Sequence, residues 1–233
     1  MNIAIPIFPG SNCDHDTEHV FGTVLGANVH SVWHKETSIG TPDMVIIPGG
    51  FSYGDYLRTG AIARFSPIME SIQAFAQKGG PVIGICNGFQ ILLEAGLLPG
   101  VMLHNENLRF ICKSVHLKVE AGNQSHFTQG LDPEQTFKIP ISHGEGNYRI
   151  DDDGLKSLED HQQIVFRYVN ELGELDPEAN VNGSTAAIAG ICNRQGNVLG
   201  LMPHPERAAE PQLGNADGRQ LLDAFLQAVD VTV

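Results

Sequence analysis

Only four cysteines occur in 233 residues, at 13, 86, 112 and 192, and no two of them form a C-x-x-C pair. A chain of this length has enough core to fold without a disulfide framework, so reduced thiols are expected. Basic residues are also scarce: 14 Lys and Arg stand against 27 Asp and Glu, for a net charge of -13. That balance argues against nucleic acid or an anionic membrane surface as a partner, since both select basic patches. No apolar run approaches the length of a membrane span. Residues 1–8 carry no basic segment and read as a first strand rather than a signal sequence. A cytoplasmic protein is expected. There is no repeat, no low-complexity linker and no G-x-x-x-x-G-K-[ST] phosphate loop. One domain over 1–233, with no ATP site of its own, is therefore expected.

What is present is an alternation of short apolar runs with helix-like stretches. Residues 3–8, 27–33, 43–47 and 81–85 read as strands. Helices are expected over 14–25, capped by Ser11 or Asn12, and over 67–77. Continuous apolar strands separated by helices imply a mostly parallel α/β sheet covered on both faces. The middle differs. Residues 109–120 and 136–141 read as strands of an antiparallel extension, and 172–182 as loop. Strands over 186–193 and 197–202 flank a hairpin turn at Arg194-Gln195-Gly196, and 217–229 reads as a closing helix. Loops at the carboxyl ends of such strands carry the chemistry.

The most informative segment is Gly84-Ile85-Cys86-Asn87-Gly88-Phe89-Gln90, between the apolar runs 81–83 and 91–93. Strand, tight turn and helix with a cysteine at the turn is the layout of a nucleophile elbow. Glycines on both sides permit close backbone approach, and the helix N-terminus favours negative charge on the nucleophile. A thiol nucleophile needs a base and an orienting acid. Met202-Pro203-His204-Pro205-Glu206-Arg207 supplies both. In extended backbone His204 and Glu206 point the same way. For an isolated His-Pro-Glu a rigid surface turn is the blander explanation; the elbow upstream tips the balance. The amides of Gly50, in the turn Pro48-Gly49-Gly50, and of Asn87 are the expected oxyanion donors.

G-x-C-x-G-x-Q followed by H-x-E resembles the class I, triad-type glutamine amidotransferases. The strings at 9–14, 48–58, 60–65, 86–90, 143–147 and 203–207 are similar to the glutaminase subunits of phosphoribosylformylglycinamidine synthase, in order and over nearly the whole chain. The loop 51–65 is what narrows the resemblance to that branch. The resemblance implies a flavodoxin-like, doubly wound fold with an antiparallel extension. It implies that Cys86, His204 and Glu206 hydrolyse glutamine through a thioester, with Gln90 and the backbone near Gly144 holding substrate. It further implies that ammonia passes to a synthetase subunit. That subunit binds ATP and magnesium and makes formylglycinamidine ribonucleotide in purine biosynthesis, and a small third subunit joins the two. The loop 53–64, with Tyr56, Arg58 and Arg64, is the expected docking surface, aromatics and arginines being common interface anchors.

Other signals compete. His15-Asp16-Thr17-Glu18-His19 fits H-x-x-E-H, a zinc spacing. A solvated face of the first helix explains it as well, and no metal is expected. Cys13 is a rival thiol without the G-x-C-x-G frame. His143, with Glu145 two residues on, is a rival base. Cys112 and Cys192 lie in apolar stretches and are expected in the core.

Overall fold

The structure, a computed structural model, describes residues 1–231. In chain order its strands and longer helices are β1 (Asn2–Ile7), α1 (Asp14–Glu18), β2 (Asn28–Trp33), β3 (Met44–Ile47), α2 (Ile68–Gln77), β4 (Val82–Ile85) and α3 (Asn87–Glu94). There follow β5 (Val101–Leu103), β6 (Ile111–Val119), β7 (Thr136–His143), β8 (Asn147–Arg149), α4 (Asp152–Asp160), β9 (Ile164–Val169), β10 (Ile188–Cys192), β11 (Val198–Leu201) and α5 (Asp217–Gln227). Nine strands form one sheet in the order β2-β1-β3-β4-β11-β10-β9-β6-β7, and β5 and β8 pair separately. The first five run parallel and the remaining neighbours antiparallel. The doubly wound sheet and its antiparallel extension are thus both present.

Burial explains the parallel half. Every residue of β3, β4 and β11 is buried, as strands covered on both faces require. Edge strand β2 is largely open to solvent. The registers Ile85↔Leu201 and Ile47↔Gly84 bring the carboxyl ends of β3, β4 and β11 level with one another. The turns after these three strands therefore meet at one edge of the sheet.

Several expectations shift. The helix from residue 14 is α-helical only to Glu18 and continues as a π-helix over His19–Val24, Leu25 N–H bonding to Val20 O. Neither Ser11 nor Asn12 caps it. Ser11 Oγ instead accepts from Phe8 N, and Asn12 Oδ1 faces the Cys13 thiol. Ala186 and Ala187 have positive φ, so β10 begins only at Ile188. Cys192 is buried, but Cys112 is exposed, against expectation. The reason is topological: β9 pairs with β6 only over residues 116–119, so the segment holding Cys112 is flanked by β7 alone. Among the described residues no helix is long and apolar enough to cross a membrane.

Candidate active site

Cys86 sits between β4 and α3 with φ 50° and ψ −105°, a left-handed conformation that costs a non-glycine residue on the order of 1–3 kcal/mol. Sterics fix both flanking glycines. A Cβ on Gly84 would lie 2.6 Å from the Gly88 carbonyl carbon, and one on Gly88 would lie 2.0 Å from Ile47 O. The elbow is tight because α3 leaves directly over β3 and its own strand. Cys86 precedes α3, whose first backbone N–H groups lack intrahelical partners and make that end electropositive.

His204 and Glu206 follow β11, the strand beside β4. Their buried side chains are joined by a 2.5 Å contact from His204 Nδ1 to Glu206 Oε1. The backbone there is not extended, as the sequence had suggested. Pro205, its φ preset for a helical turn, starts a 3-10 turn over Pro205–Ala208, and His204 precedes it at φ −107°, ψ 82°. His204 N–H donates to Pro140 O at 2.8 Å, tying the turn to β7. Burial works against the imidazolium, but the negative charges of Glu206 and Cys86 outweigh it and hold the His204 pKa above its ordinary value. His204 Nε2 is buried with no bonding partner. Gly49 separates this ring from the nucleophile: a Cβ there would lie 2.8 Å from His204 Cε1 and 3.4 Å from Cys86 Cβ. The Cys86 thiol is therefore near enough to the ring to help raise its pKa. The Cys86 Sγ contact to Ser142 O, at 3.9 Å, is weak.

A cleft of about 130 Å³ opens on Cys86. Gly50, Gln90, His143 and Gly144 line it, with Asp55, Thr59 and Glu145. Gly50 has φ +132°, a conformation that favours glycine, and pairs with Ser11 across the loops. The Asn87 side chain accepts from Ser52 N at 3.1 Å and donates to Gln90 Oε1 at 2.9 Å. Gln90 Nε2 in turn donates to Glu145 O at 2.5 Å. One hydrogen-bonded chain thus joins the loop after β3, the elbow helix and the loop after β7. Gln90 is more a brace for the cleft than a free side chain within it, although its Nε2 keeps a second N–H. Asn105, fully buried, anchors the other wall. Its Oδ1 faces both His143 Nδ1 (3.1 Å) and Gly146 N (2.9 Å), and its Nδ2 donates to His143 O.

The rival residues have other partners. His143 is not paired with Glu145, whose carboxylate accepts from Thr59 Oγ1 and faces His104. Burial, then the nearby His204 charge, push the His143 pKa down to about 4, so the ring is neutral near pH 7. Cys13 is close to the site, but burial pushes its thiol up to about 12 even with Arg207 Nη2 donating to it at 3.0 Å. His15 faces Glu18 and His19 faces Glu210, as surface contacts. Arg58 bonds Glu94 with two N–H groups and Arg64 reaches the Glu94 carbonyl, while Tyr56 projects into solvent. Asp55, Thr59, Asn105 and Glu145 were not foreseen as site residues. Asp55 and Glu145 lie within motif strings and Thr59 between two of them, whereas Asn105 carries no such signal.

Comparison with known proteins agrees with this geometry. Residues 1–223 match the CobB/CobQ-like glutamine amidotransferase domain family. The chain is 57% identical over 226 residues to phosphoribosylformylglycinamidine synthase subunit PurQ of Moorella thermoacetica, covering 97% of this chain and 95% of that one. It is 53% identical to the subunit of the same name from Koribacter versatilis, covering 98% and 99%. The structure of PurLQS from Thermotoga maritima contains a chain that superposes with a TM-score of 0.83 at 42% identity, covering 97% of each. A glutamine amidotransferase from the same organism superposes at 0.56 with 16% identity, which speaks for the fold alone. With matches this long and this similar, the chain belongs to the glutamine amidotransferase family, and within it to the PurQ subunits of phosphoribosylformylglycinamidine synthase.

Proposed function

We propose that this chain hydrolyses the side-chain amide of glutamine and hands the ammonia to a synthetase subunit, which converts formylglycinamide ribonucleotide to its amidine. The observation that carries the chemistry is the buried His204–Glu206 pair beside a cysteine held at positive φ. His204 takes the thiol proton of Cys86 through Nε2, the ring nitrogen left free by Glu206. The sulfur attacks the amide carbon. The backbone amides of Gly50 and Asn87 donate to the developing oxyanion. The His204 imidazolium returns its proton to the departing nitrogen, so ammonia leaves and a glutamyl thioester remains. Water, deprotonated by His204, attacks the thioester, and the proton returns to the thiol as glutamate departs. Gln90 and Gly144 shape the wall against which the substrate lies.

ATP and magnesium are assigned to the synthetase and none to this chain. A small third subunit completes the assembly in the cytoplasm. The exposed side of loop 53–64, led by Tyr56, is the docking surface for the synthetase. The test is Cys86→Ala in the reconstituted complex. Glutamine-dependent synthesis should vanish while synthesis from added ammonia continues at the wild-type rate. A variant that still hydrolyses glutamine overturns the proposal. The isolated chain should be nearly silent as a glutaminase until docked.

A further inference from the structure

The segment between β7 and β8, Gly144-Glu145-Gly146 with His143 before it, has little of its own to hold a shape. Two of its four residues are glycines, which have the most backbone freedom to lose. Yet His143, Gly144 and Glu145 line the cleft with Cys86, and Ser142 O lies 3.9 Å from the Cys86 sulfur.

The shape is imposed by side chains from outside. Gln90 Nε2 donates to Glu145 O. Asn105 and Asn182, both fully buried, take the remaining residues. Asn105 donates from Nδ2 to His143 O (2.9 Å) and from its backbone N–H to Gly144 O (2.9 Å). Its Oδ1 accepts from Gly146 N (2.9 Å). Asn182 Nδ2 donates to Gly146 O (2.8 Å). Each residue of the segment is thus tied through a backbone atom. Glu106 N–H donates to Asn182 O at 3.1 Å, so the loops bearing the two asparagines brace each other.

The same side chain sets the His143 ring. Asn105 Nδ2 donates to two carbonyls, those of Arg109 and His143, which leaves Oδ1 as an acceptor only. His143 Nδ1, 3.1 Å from that oxygen, is therefore the ring nitrogen that carries the proton. Gly146 lies directly against the ring: a Cβ there would be 2.1 Å from His143 Cε1. None of these bonds reaches the side chains of Cys86, His204 or Glu206. Those follow β4 and β11, and His204 is held by Glu206.

We propose that Asn105 and Asn182 are positioning residues for glutamine binding: they hold the segment from His143 to Gly146 in the shape of the cleft wall, and Asn105 fixes His143 as its Nδ1-protonated ring. The assignment rests on the glutaminase function proposed above. With the clamp removed, the cost of ordering a glycine-rich wall falls on the substrate. The nucleophile and its base are held separately, so the chemical step is spared.

The test uses the full chain with its synthetase. Glutamate release gives KM and kcat, and labelling of Cys86 by the diazoketone 6-diazo-5-oxo-L-norleucine counts competent sites. Asn105→Ala and Asn182→Ala should each raise KM for glutamine by about tenfold or more. Turnover per labelled site should stay within about threefold of wild type. Asn197→Ala is the control. Asn197 is also buried, and its Nδ2 donates to Ala76 O and Gly80 O, neither of which lines the cleft. Its loss should lower the urea midpoint and leave KM unchanged. A merely structural role for Asn105 and Asn182 predicts fewer labelled sites at unchanged KM. That result, or an equal rise in KM in Asn197→Ala, overturns the assignment. In the wild type, long-range proton–nitrogen spectra of the histidine-labelled chain should place the His143 proton on Nδ1. A ring protonated on Nε2 overturns the clamp whether or not the variants fold. Failure of the diazoketone to label Cys86 in the wild-type complex overturns the glutaminase function itself.

Discussion

Gly49→Ala adds one methyl group between the base and the nucleophile. Its Cβ would lie 2.8 Å from His204 Cε1, 3.1 Å from Cys13 Sγ and 3.4 Å from Cys86 Cβ. Comfortable carbon contacts begin near 3.5 Å, so the imidazole must retreat by roughly 0.7 Å or more. It cannot turn freely, because Glu206 holds Nδ1 and Pro140 holds the backbone. A displacement approaching 1 Å costs about 100-fold in rate. The backbone at Gly49 is not left-handed, so alanine brings no conformational penalty. Overpacking alone should cost about 1–3 kcal/mol, which for a chain of this size is a fall in Tm of roughly 2–12 °C. The expected result is a folded chain by circular dichroism with glutamine turnover down about 100-fold in the synthetase complex. Ammonia-dependent synthesis should be unchanged. Turnover within threefold of wild type would refute the placement of His204 against Cys86 across Gly49.

His143→Asn should change the pH dependence of stability. The unfolded histidine takes up a proton near pH 6.5 and the folded one only near pH 4. The unfolded state therefore binds more protons in that window, and stability falls as pH drops through it, by up to about 3 kcal/mol. The variant lacks this loss, so its urea midpoint should gain on the wild type between pH 7 and pH 4.5; a gap independent of pH would contradict the buried neutral ring. Cys112, exposed on β6, should react with a maleimide well before Cys13 and Cys192, which are buried. Peptide mapping of the singly modified protein checks the order.

The elbow at Cys86 and the pairing of His204 with Glu206 were legible in the sequence because their constraints are local. Gly84 and Gly88 bracket Cys86 within five residues, and His204 and Glu206 are two apart. The parallel half of the sheet was legible because β3, β4 and β11 are apolar at nearly every position. Features set by distant partners were not. Asn105 is unremarkable in sequence, and its role appears only when β7 and the following loop close around it. Asp55 is one polar residue in a polar loop until Tyr53 reaches His34, 19 residues away. Cys112 looks like a core residue because the sequence cannot tell that β9 stops short of it. The helix α4 and strand β9 were passed over, although Asp151 caps the helix at Gly154 N and the I-V-F-R-Y-V run is strand-like.

The pairing of β4 with β11 has a consequence for synthesis of the chain. More than a hundred residues separate Cys86 from His204, and their strands become neighbours only through the register Val82↔Val198 to Ile85↔Leu201. At usual translation speeds the thiol emerges roughly 6–24 s before its base exists. Through that interval the nascent chain carries the elbow without the machinery to use it. β11, the last strand to be made, enters the middle of the sheet rather than its edge. With Cys86 and His204 in the roles proposed above, amidase activity should switch on with completion of the sheet, and a truncated product ending before residue 204 should release no ammonia.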